Sequence, residues 1–290
     1  MEKPGLHGDI TVKAAERANV ETWSGKGRKD ENFPVGVIVA PHLRAHVHAF
    51  YSFARNADDI ADSATLAAED KIERLDVMES VLLGRSDEGA PSALALRQSL
   101  AETGVTSTHA TELLIAFRQD ARKSRYASWD ELYTYCRYSA MPVGRHVLDL
   151  HGETKATWPA SDALCAVLQV LNHLQDGAKD LKAMDRCYLP DDLMQRHGTG
   201  VDDLMQRQAS PGLRRVIDDL LDHCDRLSDI GGALPRHVRD RRLRVETAII
   251  THLARHLTSR LRRGDPVATR VKLTRGDVVM SVMASLRFLP

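Results

Sequence analysis

Phe50-Tyr51-Ser52-Phe53-Ala54-Arg55-Asn56-Ala57-Asp58-Asp59-Ile60-Ala61-Asp62 is the stretch that decides how this chain folds. Phe50, Phe53 or Ala54, Ala57 and Ile60 or Ala61 recur at helical spacing, and the same face runs back through Val47 and Leu43 to Pro41, a residue suited to a first helical turn. The spacing predicts a helix from Pro41 to Asp62 with one buried face. Its end is crowded with acid. Asp58 and Asp62 stand at i and i+4, side by side on one face, where like charges repel by about a few tenths of a kcal/mol. Arg55, one turn earlier, is a single cation against three carboxylates. A solvated surface cluster is the ordinary reading of Asp-Asp-x-x-Asp, but the Phe, Ala and Ile around this one argue against it.

Outward from this segment the same period continues. Helices are predicted at about 67–84, 92–103, 108–123, 129–150, 161–182, 212–230, 236–263 and 274–287, punctuated by Gly84, Pro91, Gly104, Gly152, Pro159, Pro211 and Gly264. No stretch alternates apolar and polar residues for long enough to make a strand, so the fold class is all-α. Residues 30–290 read as a single helical domain. A polar arm, residues 1–29, precedes it, and its Gly25 and Gly27 with flanking Lys and Arg suggest mobility.

Composition narrows the function. A chain of 290 residues with 43% hydrophobic and 28% charged residues can bury a large core, which excludes disorder. Forty Lys and Arg cancel forty Asp and Glu, so no basic field covers the whole surface and nucleic acid is not a partner. Four cysteines, Cys136, Cys165, Cys187 and Cys224, lack a CxxC pair, which argues against a disulfide framework or a structural zinc site and fits a reducing cytosol. There is neither a signal-peptide core nor the roughly 18-residue apolar run of a membrane span. The protein is expected to be cytoplasmic, at most peripheral to the inner membrane. His42 with His46 and His252 with His256 are i,i+4 pairs, but neither has the His-Glu-x-x-His arrangement of a zinc enzyme, and both read as surface histidines. The basic run Arg236 to Arg244 reads as a solvated helix face, with anionic lipid as the alternative. No dinucleotide fingerprint or Walker loop is present.

A second polar constellation lies in Gln169 to Asp180. Asn172, Asp176 and Asp180 fall at i, i+4 and i+8, a ladder along one stripe, while Leu168, Leu171, Leu174 and Ala178 populate core-facing positions. Gly177 costs the helix about 1 kcal/mol relative to Ala, which fits a close ligand or an ordinary kink. Two oxygen-rich stripes facing each other across a bundle would offer hard ligands for Mg²⁺, which takes few carboxylates and leaves positions for water and phosphate. A diphosphate substrate is implied.

Tyr51 to Asp62 together with Asn172-x-x-x-Asp176-x-x-x-Asp180 resembles the paired aspartate-rich motifs of the squalene and phytoene synthase family. Ala116-Phe117-Arg118-Gln119-Asp120, Arg125-Tyr126, Tyr135 to Arg145 and Arg186-Cys187-Tyr188-Leu189-Pro190 agree with it. Glu31-Asn32-Phe33-Pro34 and Ser139-Ala140-Met141-Pro142-Val143-Gly144-Arg145 are similar to the bacterial hydroxysqualene synthases of hopanoid biosynthesis, which convert presqualene diphosphate and water to hydroxysqualene.

The resemblance implies a single isoprenoid-synthase helical bundle with a central apolar cavity and a Mg²⁺-diphosphate mouth. It implies that Asp58, Asp59 and Asp62 hold metal from one wall and Asn172, Asp176 and Asp180 from the other. Arg55 and Arg186 would clamp diphosphate, with Asn32 and Phe33 in the substrate-binding segment. Tyr51 and Tyr188 are candidate hydrogen-bond donors or simply packed rings. Tyr138 and Gln169 match positions that line the family's cavity, whereas Phe53 and Tyr135 read as core packing. Met141, where the hydroxysqualene-forming subgroup commonly has Asn, and His173 beside Asn172 depart from the pattern. Two other readings remain: condensation of two farnesyl diphosphates in the same site, and a catalytically silent helical partner that assembles other enzymes.

Overall fold

The computed structural model describes residues 19–21 and 39–288. The proposed boundary between arm and domain at residue 29, and with it Asn32 and Phe33, lies outside the described residues. The described chain is helical, with a single isolated bridge, Tyr126 to Pro190, in place of any sheet. Two compact units divide it: residues 19–21 with Ala45–Arg122, and residues 39–44 with 123–288.

The first unit holds α1 (Arg44–Ala61), α2 (Ala68–Leu82), α3 (Pro91–Thr103) and α4 (Thr108–Asp120), with α2 packed on α3 and α4. Helix α1 buries Val47, Phe50, Phe53, Ala57 and Ile60, the face its period predicts. Residues 19–21 are docked here. Glu21 Oε1 accepts from the Ser92 backbone N–H at 2.8 Å and from Ser92 Oγ at 2.6 Å, so a carboxylate sits at the N-terminus of α3 where the orphan amides favour it.

The second unit is built on α7 (Trp158–Met184), a 27-residue helix that packs against α5 (Trp129–Ser139), α6 (Met141–Leu150), α9 (Pro211–Gly231) and α11 (Arg241–Arg263). Short α8 (Asp191–Arg196) and α10 (Leu234–His237) connect them, and α12 (Arg275–Ser285) packs along α11. Gly144 makes the α6–α7 approach possible, because a Cβ there would collide with the Ser161 and Cys165 side chains.

Two segments predicted as continuous helices are broken. The 129–150 stretch divides at Ala140 (φ −125°, ψ −44°), because Pro142 brings no N–H to the ladder and suits only a first turn. The 236–263 stretch divides at Val238–Asp240, where buried Glu153 Oε1 accepts the backbone N–H groups of Arg239 (2.9 Å) and Asp240 (2.7 Å). The basic run is therefore a loop flanked by helix ends rather than one helix face, with Arg236, Arg239, Arg241 and Arg242 exposed. The four cysteines are free thiols.

Candidate active site

In the first unit the last two turns of α1 present the acidic cluster. Buried Phe53, Ala57 and Ile60 set the helix rotation, and Tyr51, Arg55, Asp58 and Asp59 then fall on half-buried positions. Arg55 reaches forward to both neighbours, 3.1 Å from Asp58 and 2.9 Å from Asp59. Asp62 follows on the same turn, its N–H bonded to the Asp58 carbonyl at 2.8 Å. The Asp58 carboxyl is pushed well above the usual carboxylate range, first by removal from water and then by Asp62; Arg55 opposes this, while Asp120 and Asp59 add to it. Asp120, the last residue of α4, is thus a further acid of this cluster that the sequence placed only in a matching segment.

In the second unit Gln169, Asn172, Asp176 and Asp180 occupy half-buried positions on α7, while Leu171 and Leu174 are buried. Asp176 Oδ2 accepts from Arg270 at 2.7 Å, and its Oδ1 is buried with no hydrogen-bond partner. The neighbouring Gln175 donates to the Val271 carbonyl at 2.6 Å, so the 264–274 loop is tied to the acidic stripe at two successive residues. Gly177 lies in unbroken helix, and a Cβ there would make an ordinary 3.6 Å contact with Leu204.

Helix α7 ends at Asp185, whose φ of 51° is a left-handed cap, held by Arg125 through its carboxylate at 2.6 Å. The chain then runs extended beside residues 124–127, with Cys187 N–H bonded to the Ser124 carbonyl and Asp191 N–H to the Tyr126 carbonyl, both at 2.9 Å. This pairing turns Arg186 and Tyr188 inward. Both are buried, and Arg186 Nη1 donates to Tyr188 Oη at 3.3 Å. The Tyr188 ring stacks on His173 (centroids 3.4 Å apart) and on Tyr126 (5.5 Å), with Tyr135 tilted against it at 5.6 Å. Burial, and after it the Arg186 charge, pull His173 down to about 3, so its imidazole is neutral at ordinary pH. Tyr138 is half-buried with the Arg137 guanidinium 5.5 Å over its ring, while Phe53 and Tyr135 are buried core.

Among the described residues no three Asp, Glu, His or Cys side chains converge into a ready cation cage. The donor set nevertheless fits Mg²⁺, which binds through one or two carboxylates and completes its shell with water and phosphate. Asp58, Asp59 and Asp62 crowd beside Arg55, and Asp176 Oδ1 is buried without a donor. Sequence reasoning missed Arg270, for which no local signal exists at a separation of 94 residues. It also left His173 and Tyr126 without roles, although both sit in matching segments.

The sequence model of squalene/phytoene synthase matches residues 27–277. The chain belongs to the squalene/phytoene synthase family. Within it, the chain is 45% identical over 267 residues to a hydroxysqualene synthase of Rhodopseudomonas palustris, covering 92% of this chain and 91% of the relative. It is 47% identical over 247 residues to a hydroxysqualene synthase of Sinorhizobium fredii, covering 85% and 84%. The crystal structure of a squalene synthase from Alicyclobacillus acidocaldarius superposes with a TM-score of 0.71 at 31% identity, covering 88% of this chain and 94% of that one. All-α architecture and membership of an isoprenoid-processing enzyme family therefore stand together.

Proposed function

We propose that the chain acts as a hydroxysqualene synthase, ionising presqualene diphosphate and directing one water to the rearranged cation, with hydroxysqualene and diphosphate as products. The near-full-length identity of 45% and 47% to two proteins of that name carries this reading. When bound, Mg²⁺ neutralises charge developing on the departing diphosphate. Asp58, Asp59 and Asp62, and likewise Asn172, Asp176 and Asp180, are assigned as metal-holding residues. Arg55 and Arg186 bind diphosphate oxygens, and the preorganised positive charge of Arg186, fixed by Tyr188, costs no reorganisation as the anion forms. Tyr51, Asn32 and Phe33 complete the substrate-binding set.

A cation that must rearrange before capture needs a wall without nucleophiles and with π faces toward it. Tyr138 supplies such a face, and Gln169 is assigned to the same cavity as a polar group near the water. His173, neutral and buried, keeps a ring stacked on Tyr188 without adding a second positive charge beside Arg186. Residues 30–290 form the catalytic domain in this reading, with residues 1–29 as an arm, and reversible attachment to a membrane surface follows from a long hydrocarbon substrate. No described helix is long and apolar enough to cross a membrane.

Purified protein with Mg²⁺ and presqualene diphosphate in heavy-oxygen water tests this. The expected result is diphosphate release and a C30 alcohol carrying the heavy isotope, because capture of a cation puts the solvent oxygen on carbon. An unlabelled alcohol refutes cation capture, since attack at phosphorus leaves the substrate's own oxygen on carbon. Joining of two farnesyl diphosphates with presqualene diphosphate ignored keeps the site and overturns the substrate.

A further inference from the structure

Helix α12 is inside out. Its buried face is Asp277, Ser281 and Ser285, at i, i+4 and i+8, and it packs on α11, whose Arg260 and His256 meet Asp277. Burying these polar groups is tolerable because each hydroxyl is satisfied within its own helix. Ser281 Oγ donates to the Asp277 carbonyl and Ser285 Oγ to the Ser281 carbonyl, both at 2.7 Å. Asp277 accepts from Arg260 at 2.6 Å and closes a capping box with Thr274.

The apolar residues are left outside. Val278, Val279, Met280, Val282, Met283 and Leu286 are 39% to 61% exposed, six of the ten large apolar side chains that stand exposed among the described residues. Scattered exposed apolar residues need no explanation, but this concentration on one short helix and the residue that follows it does.

Charge says what covers it. Between Arg255 and Phe288 stand eight Arg and Lys and two Asp; Arg255, Arg262 and Arg270 are paired with Asp229, with Asp222 and Asp225, and with Asp176 from other elements, which leaves Arg263, Lys272, Arg275 and Arg287 as exposed cations. Both acids are engaged inward: Asp277 with Arg260, and Asp265 with the backbone N–H groups of Ala209 and Val267, each at 2.9 Å. Lys272 and Arg275 at one end of α12 and Arg287 at the other are exposed. The density of cations is felt by His252 on α11, which burial, and then Arg287, Arg255 and His256, hold below the ordinary imidazole value. A second copy meeting this face about a two-fold axis brings like charges together, whereas an anionic bilayer offers acyl chains for the Val and Met side chains and headgroups for the Arg and Lys around them.

We propose that the exposed face of α12 is a docking surface for an anionic lipid bilayer, with Val278, Val279, Val282, Met283 and Leu286 entering the headgroup region and Lys272, Arg275 and Arg287 meeting the phosphates. The proposal gives the membrane attachment inferred above its site, and it rests on that reading only for its biological sense. Vesicles test the surface, and diphosphate release tests the reaction.

The experiment is co-sedimentation of the full chain with vesicles of phosphatidylcholine mixed with phosphatidylglycerol, and with phosphatidylcholine alone. Wild-type protein is expected to bind the anionic vesicles more tightly, with binding that weakens as salt rises. V279D combined with M283E is expected to reduce binding at least about ten-fold while diphosphate release from detergent-dispersed substrate is unchanged. K272E combined with R275E, which changes two exposed residues, is expected to weaken binding chiefly at low salt and serves if the first variant fails to fold. No binding by the wild type, or equal binding by both variants, overturns the proposal. So does loss of binding only in R241E combined with R242E, which assigns the contact to the other basic segment. A wild-type dimer in sedimentation that V279D with M283E converts to monomer, without vesicle binding, makes the face an interface between copies and likewise overturns it.

Discussion

The acidic ends of α1 and α7 carry similar oxygen-rich sequences and settle their charge in opposite ways. On α1 three aspartates crowd into five residues, and the compensating cation, Arg55, comes from the same helix one turn back. On α7 the polar groups are spaced a full turn apart, and Asp176 is paired with Arg270 from a loop 94 residues later. Removal from water, and after it the neighbouring Asp62, leaves Asp58 with a carboxyl that resists ionisation. Spacing leaves Asp176 with one oxygen bonded and the other buried and bare. The first cluster has its cation on its own helix; the second depends on how the 264–274 loop folds.

The largest expected effects come from the carboxylates themselves. Asp58→Asn and Asp176→Asn should each lower diphosphate release by about 10²- to 10³-fold, the usual scale when one preorganised charge is withdrawn from a developing anion. Their stabilities should diverge. Asp58→Asn gives up the Arg55 contact but removes a desolvated charge and its repulsion with Asp62, Asp120 and Asp59, which together outweigh Arg55, so the melting temperature should hold or rise; Asp176→Asn discards the Arg270 pair, so it should fall. Thermal melts of both variants with unchanged circular dichroism check this. Shifts of the same sign and size would erase the contrast between the two ends, and full activity of Asp176→Asn in Mg²⁺ would remove it from the metal set.

Arg270→Gln comes next. With Arg270 gone, Asp176 loses the contact that fixes its carboxylate, and the Mg²⁺ concentration needed for half-maximal rate should rise about 10- to 100-fold, the range for outer partners of metal ligands. Arg270→Lys should restore part of the loss. A rate that is lower at every Mg²⁺ concentration with an unmoved midpoint would make Arg270 a structural residue only.

The same contrast explains what was legible in the sequence. Helical period exposed the buried face of α1 and the polar ladder of α7, because both depend on residues three and four apart. The break at Ala140 was also within reach, since Pro142 carries its own reason. Other features needed the fold: Glu153 is bonded to residues 86 and 87 positions away, and Arg270 reaches Asp176 only because Gln175 and the loop at Val271 are joined. His173 was visible as an oddity beside Asn172, but its partner Tyr188 lies beyond the end of α7 and is brought back by the pairing of residues 124–127 with 187–191.

His173 yields a smaller effect that separates stacking from chemistry. His173→Phe keeps a flat ring against Tyr188 and should change kcat less than about three-fold, whereas His173→Ala opens the stack and should raise KM for the diphosphate about ten-fold through a loosened Tyr188 and Arg186. Equal loss in both variants would give the imidazole a direct part in the reaction.

The smallest effect concerns an acid that is neither crowded nor bare. Asp277 is held far below the usual carboxylate range by hydrogen bonds from Arg260, with the Thr274 N–H and hydroxyl adding to them, the reverse of Asp58. A carboxyl whose folded pKa is depressed contributes stability that is fully present above its unfolded value near about 4 and is lost as pH falls toward the folded value. Asp58, whose folded pKa is raised, has the opposite slope: its charged form costs stability, and protonation on acidification relieves that cost. Asp277→Asn should therefore melt a few degrees below wild type at neutral pH, roughly the scale of one charge-assisted hydrogen bond in a protein of this size, and the gap should close below about pH 4. Asp58→Asn should show its greatest advantage at neutral pH and lose it on acidification. Melting curves recorded from neutral to acid pH measure both slopes together; a gap for Asp277→Asn that persists undiminished in acid would mean that Arg260 and Thr274 act on α12 through packing rather than through the carboxylate.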